Sequence, residues 1–229
     1  PKYRNNTAYY DIDPSKYSHE INIMAKKGVA IFGGCCGTTP EYIKSIVNAL
    51  DGLKPIKIVK KNFTTAASST KTVFLGDEVK IIGERINPTG KKRLKEALRE
   101  NNLNYIVREA IEQEDSGSDI LDINVGLPGI DEKEMIKKVI KEVQSVVSLP
   151  LQIDSADYEV IEAAARIYNG KPIINSVNGK KESMDKIFPI AKKYGALVVA
   201  LTLDEEGIPA TSEKRLEIAT NIIETAKVY

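Results

Sequence analysis

The sequence predicts an α/β protein built on a parallel sheet, and three observations carry that reading. Apolar runs of strand length, rich in Ile, Val and Leu, recur at 79–86, 119–126, 150–155, 172–176 and 196–203. Each run closes on polar residues. A segment of helix length separates each run from the next. This alternation marks βαβ units, in which a helix carries the chain back to start a parallel neighbour. The polar residues stand at the C-terminal ends of the expected strands, where α/β barrels and open sheets keep their ligand sites. Glu84, Asn87, Asp122, Asn124, Asp154 and Asn175 are therefore expected to converge on one mouth.

Residues 1–18 are polar, with Asn5-Asn6 and Asp13-Pro14, and read as loop. Residues 19–26 read as part of a helix stopped near Gly28. Val29, Ala30, Ile31 and Phe32 read as a short strand, followed by Gly33-Gly34-Cys35-Cys36-Gly37-Thr38-Thr39-Pro40. The next helix is expected to start at Pro40 with Thr39 as N-cap, because a fixed φ and a missing N–H suit the first helical position. Ile43, Ile46, Val47 and Leu50 follow at helical spacing. So short a piece cannot cover a parallel strand on both faces. Residues 1–52 are therefore expected to be the C-terminal end of a larger barrel. The pattern lapses over 53–76, where Lys57, Lys60, Lys61 and the Thr/Ala/Ser stretch at 64–70 read as a solvated linker.

From 77 the βα rhythm takes over. Helices are expected over 104–114, with Ile106, Val107, Ala110 and Ile111 on one face, and over 131–147, with Met135, Val139, Val143 and Val146. Further helices are expected over 157–168, over 183–194 with a kink at Pro189, and over 211–229. A closed (β/α)8 barrel needs eight units. The architecture expected is thus a TIM-barrel type present as a fragment: the tail of one barrel, a linker, and about five βα units of a second over 77–229.

Composition narrows the function classes. The 229 residues are 42% apolar and 28% charged, as in soluble globular proteins. Net charge is +1, from 33 basic and 32 acidic residues, and no basic face stands out, which argues against nucleic acid. No apolar run reaches the length of a membrane span, so no membrane partner is expected. No signal peptide is visible, an absence of little weight in a chain that opens on Pro1. Two cysteines, adjacent in sequence, make no disulfide framework; they suit a reducing compartment, the cytoplasm, and a metal or redox role.

Two constellations carry chemistry. In a regular strand adjacent side chains point to opposite faces, so Cys35 and Cys36 could not share an ion. The flanking Gly33, Gly34 and Gly37 free the backbone to bend so that both thiolates turn one way, which favours a soft metal such as zinc. The pair can equally be two inert buried thiols, since zinc sites normally take three or four protein ligands. His19, in a polar helical stretch, reads as a surface residue. Asp122, Asn124, Asp154 and Asn175 form the second group. Carboxylates at strand ends can bind a metal, act as acid or base, or hold a ligand's N–H groups. A mixture of amides and carboxylates without histidine fits hydrogen bonding to a heterocycle better than tight metal binding. Each of these residues can also simply cap the helix that follows.

These residues carry a resemblance. Residues 33–41, around Cys35-Cys36, resemble the last strand end of the zinc-dependent homocysteine methyltransferase domain. Residues 82–90 resemble the opening of the pterin-binding domain of methyltetrahydrofolate methyltransferases, and Leu121-Asp122-Ile123-Asn124-Val125-Gly126, Ile153-Asp154-Ser155 and Ile174-Asn175-Ser176 continue that match. The two domains in this order resemble the cobalamin-dependent methionine synthase family over nearly the whole chain. The resemblance implies that Cys35 and Cys36 are two of three zinc thiolate ligands, the third lying outside this chain. It implies that Glu84, Asn87, Asp122, Asn124, Asp154 and Asn175 bind the pterin, with further contacts from strands this chain lacks. It also implies methyl transfer from 5-methyltetrahydrofolate through cobalamin, held by a separate cobalamin-binding module, to homocysteine. A methyltetrahydrofolate:corrinoid protein methyltransferase shares the pterin domain, but the upstream cysteine pair argues against it. Dihydropteroate synthase shares the barrel type, though nothing in the sequence suggests its phosphate site. A catalytically silent pterin-binding module is the reading from another class.

Overall fold

The computed structural model describes residues 2–5, 7–57 and 63–229. The chain forms two compact units, Pro1–Lys61 and Asn62–Tyr229, so the boundary falls inside the expected linker. Lys60 and Lys61 of that expected linker lie outside the described residues.

The first unit opens on a hairpin rather than the loop expected from its polar residues. Strand β1 (Lys2–Arg4) pairs antiparallel with β2 (Thr7–Tyr9), with Lys2 opposite Tyr9. Asn5 turns the chain in the left-handed region at φ 52°, which asparagine tolerates and hairpin turns require. Helix α1 (Pro14–Lys26) starts at Pro14 rather than at residue 19, because the Asp13 side chain accepts from the Lys16 N–H at 2.8 Å and Pro14 fits the first turn. Helix α2 (Pro40–Leu50) has Thr39 at its N-cap and Pro40 in its first turn, as the sequence predicts. The two helices bury Ile21 and Ile46, and Asn22 Nδ2 donates to the Ala49 carbonyl at 2.8 Å. The expected strand at Val29 to Phe32 does not form. A strand exists through its ladder partner, none lies alongside among the described residues, and Ile31 is 91% exposed.

The second unit begins with the antiparallel pair β3 (Thr64–Ala67) and β4 (Thr72–Leu75), where the sequence reading had placed irregular linker. There follow β5 (Ile82–Ile86), α3 (Lys92–Arg99), α4 (Leu103–Asp115), β6 (Ile120–Asn124), α5 (Glu132–Val146), β7 (Leu151–Asp154), α6 (Tyr158–Ile167), β8 (Ile173–Asn178), α7 (Lys181–Tyr194), β9 (Leu197–Leu201) and α8 (Ser212–Ala226). The five strands from β5 to β9 are parallel, and each adds to the same edge as the last. Such sequential order is that of a (β/α) barrel rather than of a doubly wound sheet, whose strand order reverses. Helix α3 is an element the sequence reading missed. Pro189 lies inside α7. Asp131, Asp157 and Thr211 cap α5, α6 and α8 through their side chains.

Alternation along each strand divides the unit into two cores. Leu121, Ile123, Leu151, Ile153 and Ile174 pack against the helices, where they meet Ile136, Val139, Ile140 and Ile161. Each fully buried side chain of this kind is worth about 1.5–3 kcal/mol. On the opposite face Ala66 and Val73 of the β3–β4 pair cover Ile120 and Ile173 in a smaller core. Backbone bonds between Ala67 and Lys171, at 2.9 and 2.8 Å, hold the pair in place. Gly170 allows that approach: its φ is 140°, and a Cβ there would stand 2.2 Å from the Ala67 carbonyl oxygen. The hairpin sits at the N-terminal end of the sheet's inner face, which leaves the C-terminal end for polar residues. No described helix is long and apolar enough to cross a membrane.

Candidate functional site

Strand register sorts the polar residues into layers. Asn124 on β6 lies opposite Asp154 on β7, and Asp154 lies opposite Asn175 on β8. These three half-buried side chains form the upper layer, at the strand ends. Asn124 Nδ2 donates to Asp154 Oδ2 at 2.9 Å, and Asn124 Oδ1 accepts from the Gly126 N–H at 2.9 Å. The Asn124 amide is thereby fixed in orientation. One layer down, Asp122 lies opposite Gln152, and Gln152 opposite Ile173. Gln152 Nε2 donates to Asp122 Oδ1 at 2.5 Å. Asn175 Nδ2 spans the layers, 3.5 Å from the same oxygen, a long contact for a hydrogen bond.

Depth separates the two aspartates, which the sequence treats alike. Asp122 is 1% exposed, so it does not line the open mouth, whereas Asp154 is half-buried and does. Burial pushes the Asp122 carboxyl up to about 6 against the bond from Gln152, and the negative charges of Asp154 and Glu84 push the same way. Burial likewise holds Asp154 above the usual carboxylate range; the bond from Asn124 opposes it and Glu84 adds to it.

Glu84 and Asn87 close the β5 side. Asn87 Nδ2 donates to Glu84 Oε1 at 3.2 Å, and Asn87 Oδ1 accepts from the Thr89 N–H at 3.0 Å. Lys91 Nζ donates to the backbone carbonyls of Glu84 and Arg85, both at 2.9 Å, and so pins the strand's last turn. Beside Asp154, Ser155 Oγ donates to Glu132 Oε1 at 2.6 Å. A cavity of about 380 Å³ opens at the same end of the sheet, next to Ser155 and Ser176. The six residues singled out from the sequence thus gather at one end of the sheet. Gln152 was missed although a signal existed: it precedes Asp154 by two residues, and the period of two puts both on one face. Among the described residues no three His, Cys, Asp or Glu side chains gather as a metal site. The cluster presents both hydrogen-bond donors and acceptors at the strand ends.

In the first unit Cys35 and Cys36 sit in a turn, both exposed, with Sγ atoms 3.7 Å apart. Two thiolates on one tetrahedral zinc, each at about 2.3 Å, stand about 3.8 Å apart, so the pair fits two corners of such a site. His19 is exposed on α1.

A family model described as pterin binding enzyme matches residues 83–228, and one described as homocysteine S-methyltransferase matches residues 1–50. The methionine synthase of Mycobacterium tuberculosis is 32% identical over 224 residues, covering 94% of this chain and 19% of that protein. That of Mycobacterium leprae is 31% identical over 229 residues, with the same shares. The chain therefore spans 19% of the length of these curated relatives. A solved dihydropteroate synthase from Xanthomonas albilineans, in complex with indole-2-carboxylic acid and 6-chloroguanine, superposes with a TM-score of 0.52. It is 18% identical over 72% of this chain and 59% of that one, a likeness of fold.

Proposed function

Because the chain belongs to the pterin binding enzyme family, we propose that its second unit holds the pterin of 5-methyltetrahydrofolate for a methyltransferase that passes the methyl group, by way of cobalamin, to homocysteine and so makes methionine. The observation that supports this most is the layer of Asn124, Asp154 and Asn175 at the strand ends, two amides flanking one carboxylate. A pterin's amino-pyrimidine edge offers adjacent N–H donors, and one carboxylate accepts two of them in a fixed orientation. Asp154 takes that role. Asn124 and Asn175 meet the remaining ring nitrogens and oxygen, since an amide both donates and accepts. Glu84 and Asn87 bound the ring on the β5 side, and Asp122 supports Asn175 from beneath.

The methyl group leaves from N5, and an amine leaves poorly until it carries a proton. The residues of the mouth hold the ring, exclude part of the water and favour that proton through the hydrogen-bond network beneath. In the first unit Cys35 and Cys36 would hold zinc together with a ligand from outside this chain. Zinc, when bound, lowers the pKa of the homocysteine thiol and makes it a nucleophile. Cobalamin belongs to a module outside this chain. Two free, exposed thiols suit the reducing cytoplasm.

Titration calorimetry with 5-methyltetrahydrofolate tests the reading. Saturable binding that weakens in Asp154→Asn supports it. A protein that binds homocysteine but no folate would overturn it.

A further inference from the structure

Asp122 and Gln152 stand side by side as register partners on β6 and β7, both buried. One contact joins them, from Gln152 Nε2 to Asp122 Oδ1 at 2.5 Å. The other two oxygens of the pair, Asp122 Oδ2 and Gln152 Oε1, are sealed from solvent and have no hydrogen-bond partner among the described residues. While Asp122 is ionised both are acceptors only, and a buried acceptor left unmade is costly. Neither water nor a ligand atom reaches oxygens that present no surface. A proton does.

We propose that Gln152 is a positioning residue that holds Asp122 as a neutral carboxylic acid: the proton sits on Asp122 Oδ2 and is donated to Gln152 Oε1, while Gln152 Nε2 donates to Oδ1. Each side chain then gives one hydrogen and takes one, and both orphan oxygens are satisfied by a single proton drawn from solvent. No other bond changes. The surroundings act in the same sense. The charged groups bearing on Asp122 are Asp154 of β7 and Glu84 of β5, both acidic, while Asn175 of β8 offers a neutral amide. The small core below contributes only apolar side chains, from Ala66 and Val73 of the hairpin, Ile120 of β6, Ile173 of β8, and Leu197 and Val199 of β9. Burial adds to these charges, and the carboxyl stands at about 6.

The consequence lies one layer up. Below about pH 6 Asp122 is neutral and adds no negative charge beneath Asp154. A proton is stored beneath Asn175, within the network that faces the mouth. The pairing stands on the geometry of the pair and holds whatever ligand the mouth takes.

Infrared difference spectroscopy of the protein below and above pH 6 tests it. The wild type should show one buried carboxylic-acid carbonyl band that titrates with a midpoint near 6. Asp122→Asn should lose the band and keep the fold, because two amides close the same ring. Gln152→Met should shift the band to higher frequency, since the hydrogen bond to the carbonyl oxygen is gone. Gln152→Glu preserves the shape and should keep the band, with its midpoint raised by the second carboxyl. A wild-type protein without the band below pH 6 overturns the proposal, and needs no variant to fold. So does a band whose position is the same in Gln152→Met, or a midpoint unmoved in Gln152→Glu.

Discussion

The side-chain amide of Asn124 donates to the carboxylate of Asp154 across 2.9 Å, joining the ends of β6 and β7 at the open end of the sheet. The bond leaves the other Asp154 oxygen, and the second lone pair of the bonded one, for incoming donors. It also fixes the Asn124 amide, whose oxygen is already engaged by the Gly126 N–H. Two side chains from different strands thereby form one preset surface, and a ligand need not order them on binding.

That surface makes Asp154→Asn informative. The change replaces a charged acceptor by an amide that presents donors to donors. A hydrogen bond to a charged group is worth about 1.5–3 kcal/mol, so affinity for 5-methyltetrahydrofolate should fall roughly ten- to a hundredfold. Calorimetric titration beside a thermal melt separates loss of contact from loss of fold; equal affinity in both proteins removes Asp154 from the ligand.

Asp122 predicts an unusual pH dependence of stability. Its folded value of about 6 lies above the ordinary 3.8, so the folded state binds the proton more tightly than the unfolded chain does. The favourable contribution is complete below 3.8 and is lost as pH rises through 6. The loss should reach about 3 kcal/mol. Denaturant unfolding across that range should show the decline in the wild type and a flatter curve in Asp122→Asn. Parallel curves would mean that Asp122 titrates normally.

Tyr168 ties the hairpin to the sheet. Its hydroxyl donates to the Ala67 carbonyl at 2.9 Å and accepts from the Leu151 N–H at 3.0 Å, and burial pushes it up to about 12. Tyr168→Phe removes the partner of the buried Leu151 N–H, while the Ala67 carbonyl keeps its bond from the Lys171 N–H at 2.8 Å. Stability should drop by about 1–3 kcal/mol. Amide exchange should quicken first at Leu151, whose N–H donates to the hydroxyl. Undiminished protection there would show that the hydroxyl holds nothing.

For zinc, two thiolates fall short of the three or four protein ligands that a stable site uses. This chain should bind the metal weakly and give it up to a chelator, and Cys35→Ala or Cys36→Ala should abolish even that binding. One chelator-resistant ion per molecule, measured by elemental analysis, would place further ligands within these 229 residues.

The structure departs from the sequence expectation for several distinct physical reasons. The Thr/Ala/Ser stretch at 64–70 has no hydrophobic periodicity, because Ala66 and Val73 are small residues buried by position rather than by pattern. Residues 29–32 have strand composition, but no ladder partner lies alongside them among the described residues. Asp13-Pro14 carries the same cap-plus-proline signal as Thr39-Pro40. Gln152 looked like an ordinary polar residue in an apolar run, although its alternation with Asp154 was readable.

By itself, the sequence determined the βα rhythm from residue 79 onward and the face on which Asp122, Asn124 and Asp154 lie, because a period of two and a period near 3.6 are properties of the local chain. It also determined which strand ends are polar. Only the tertiary structure decided depth. Register against β7 and β8 places Asp122 a full layer beneath Asp154, seals it beside Gln152 and sets the hairpin under both. Burial and register depend on neighbours far along the chain, and desolvation in turn sets which of two like carboxyls keeps its proton.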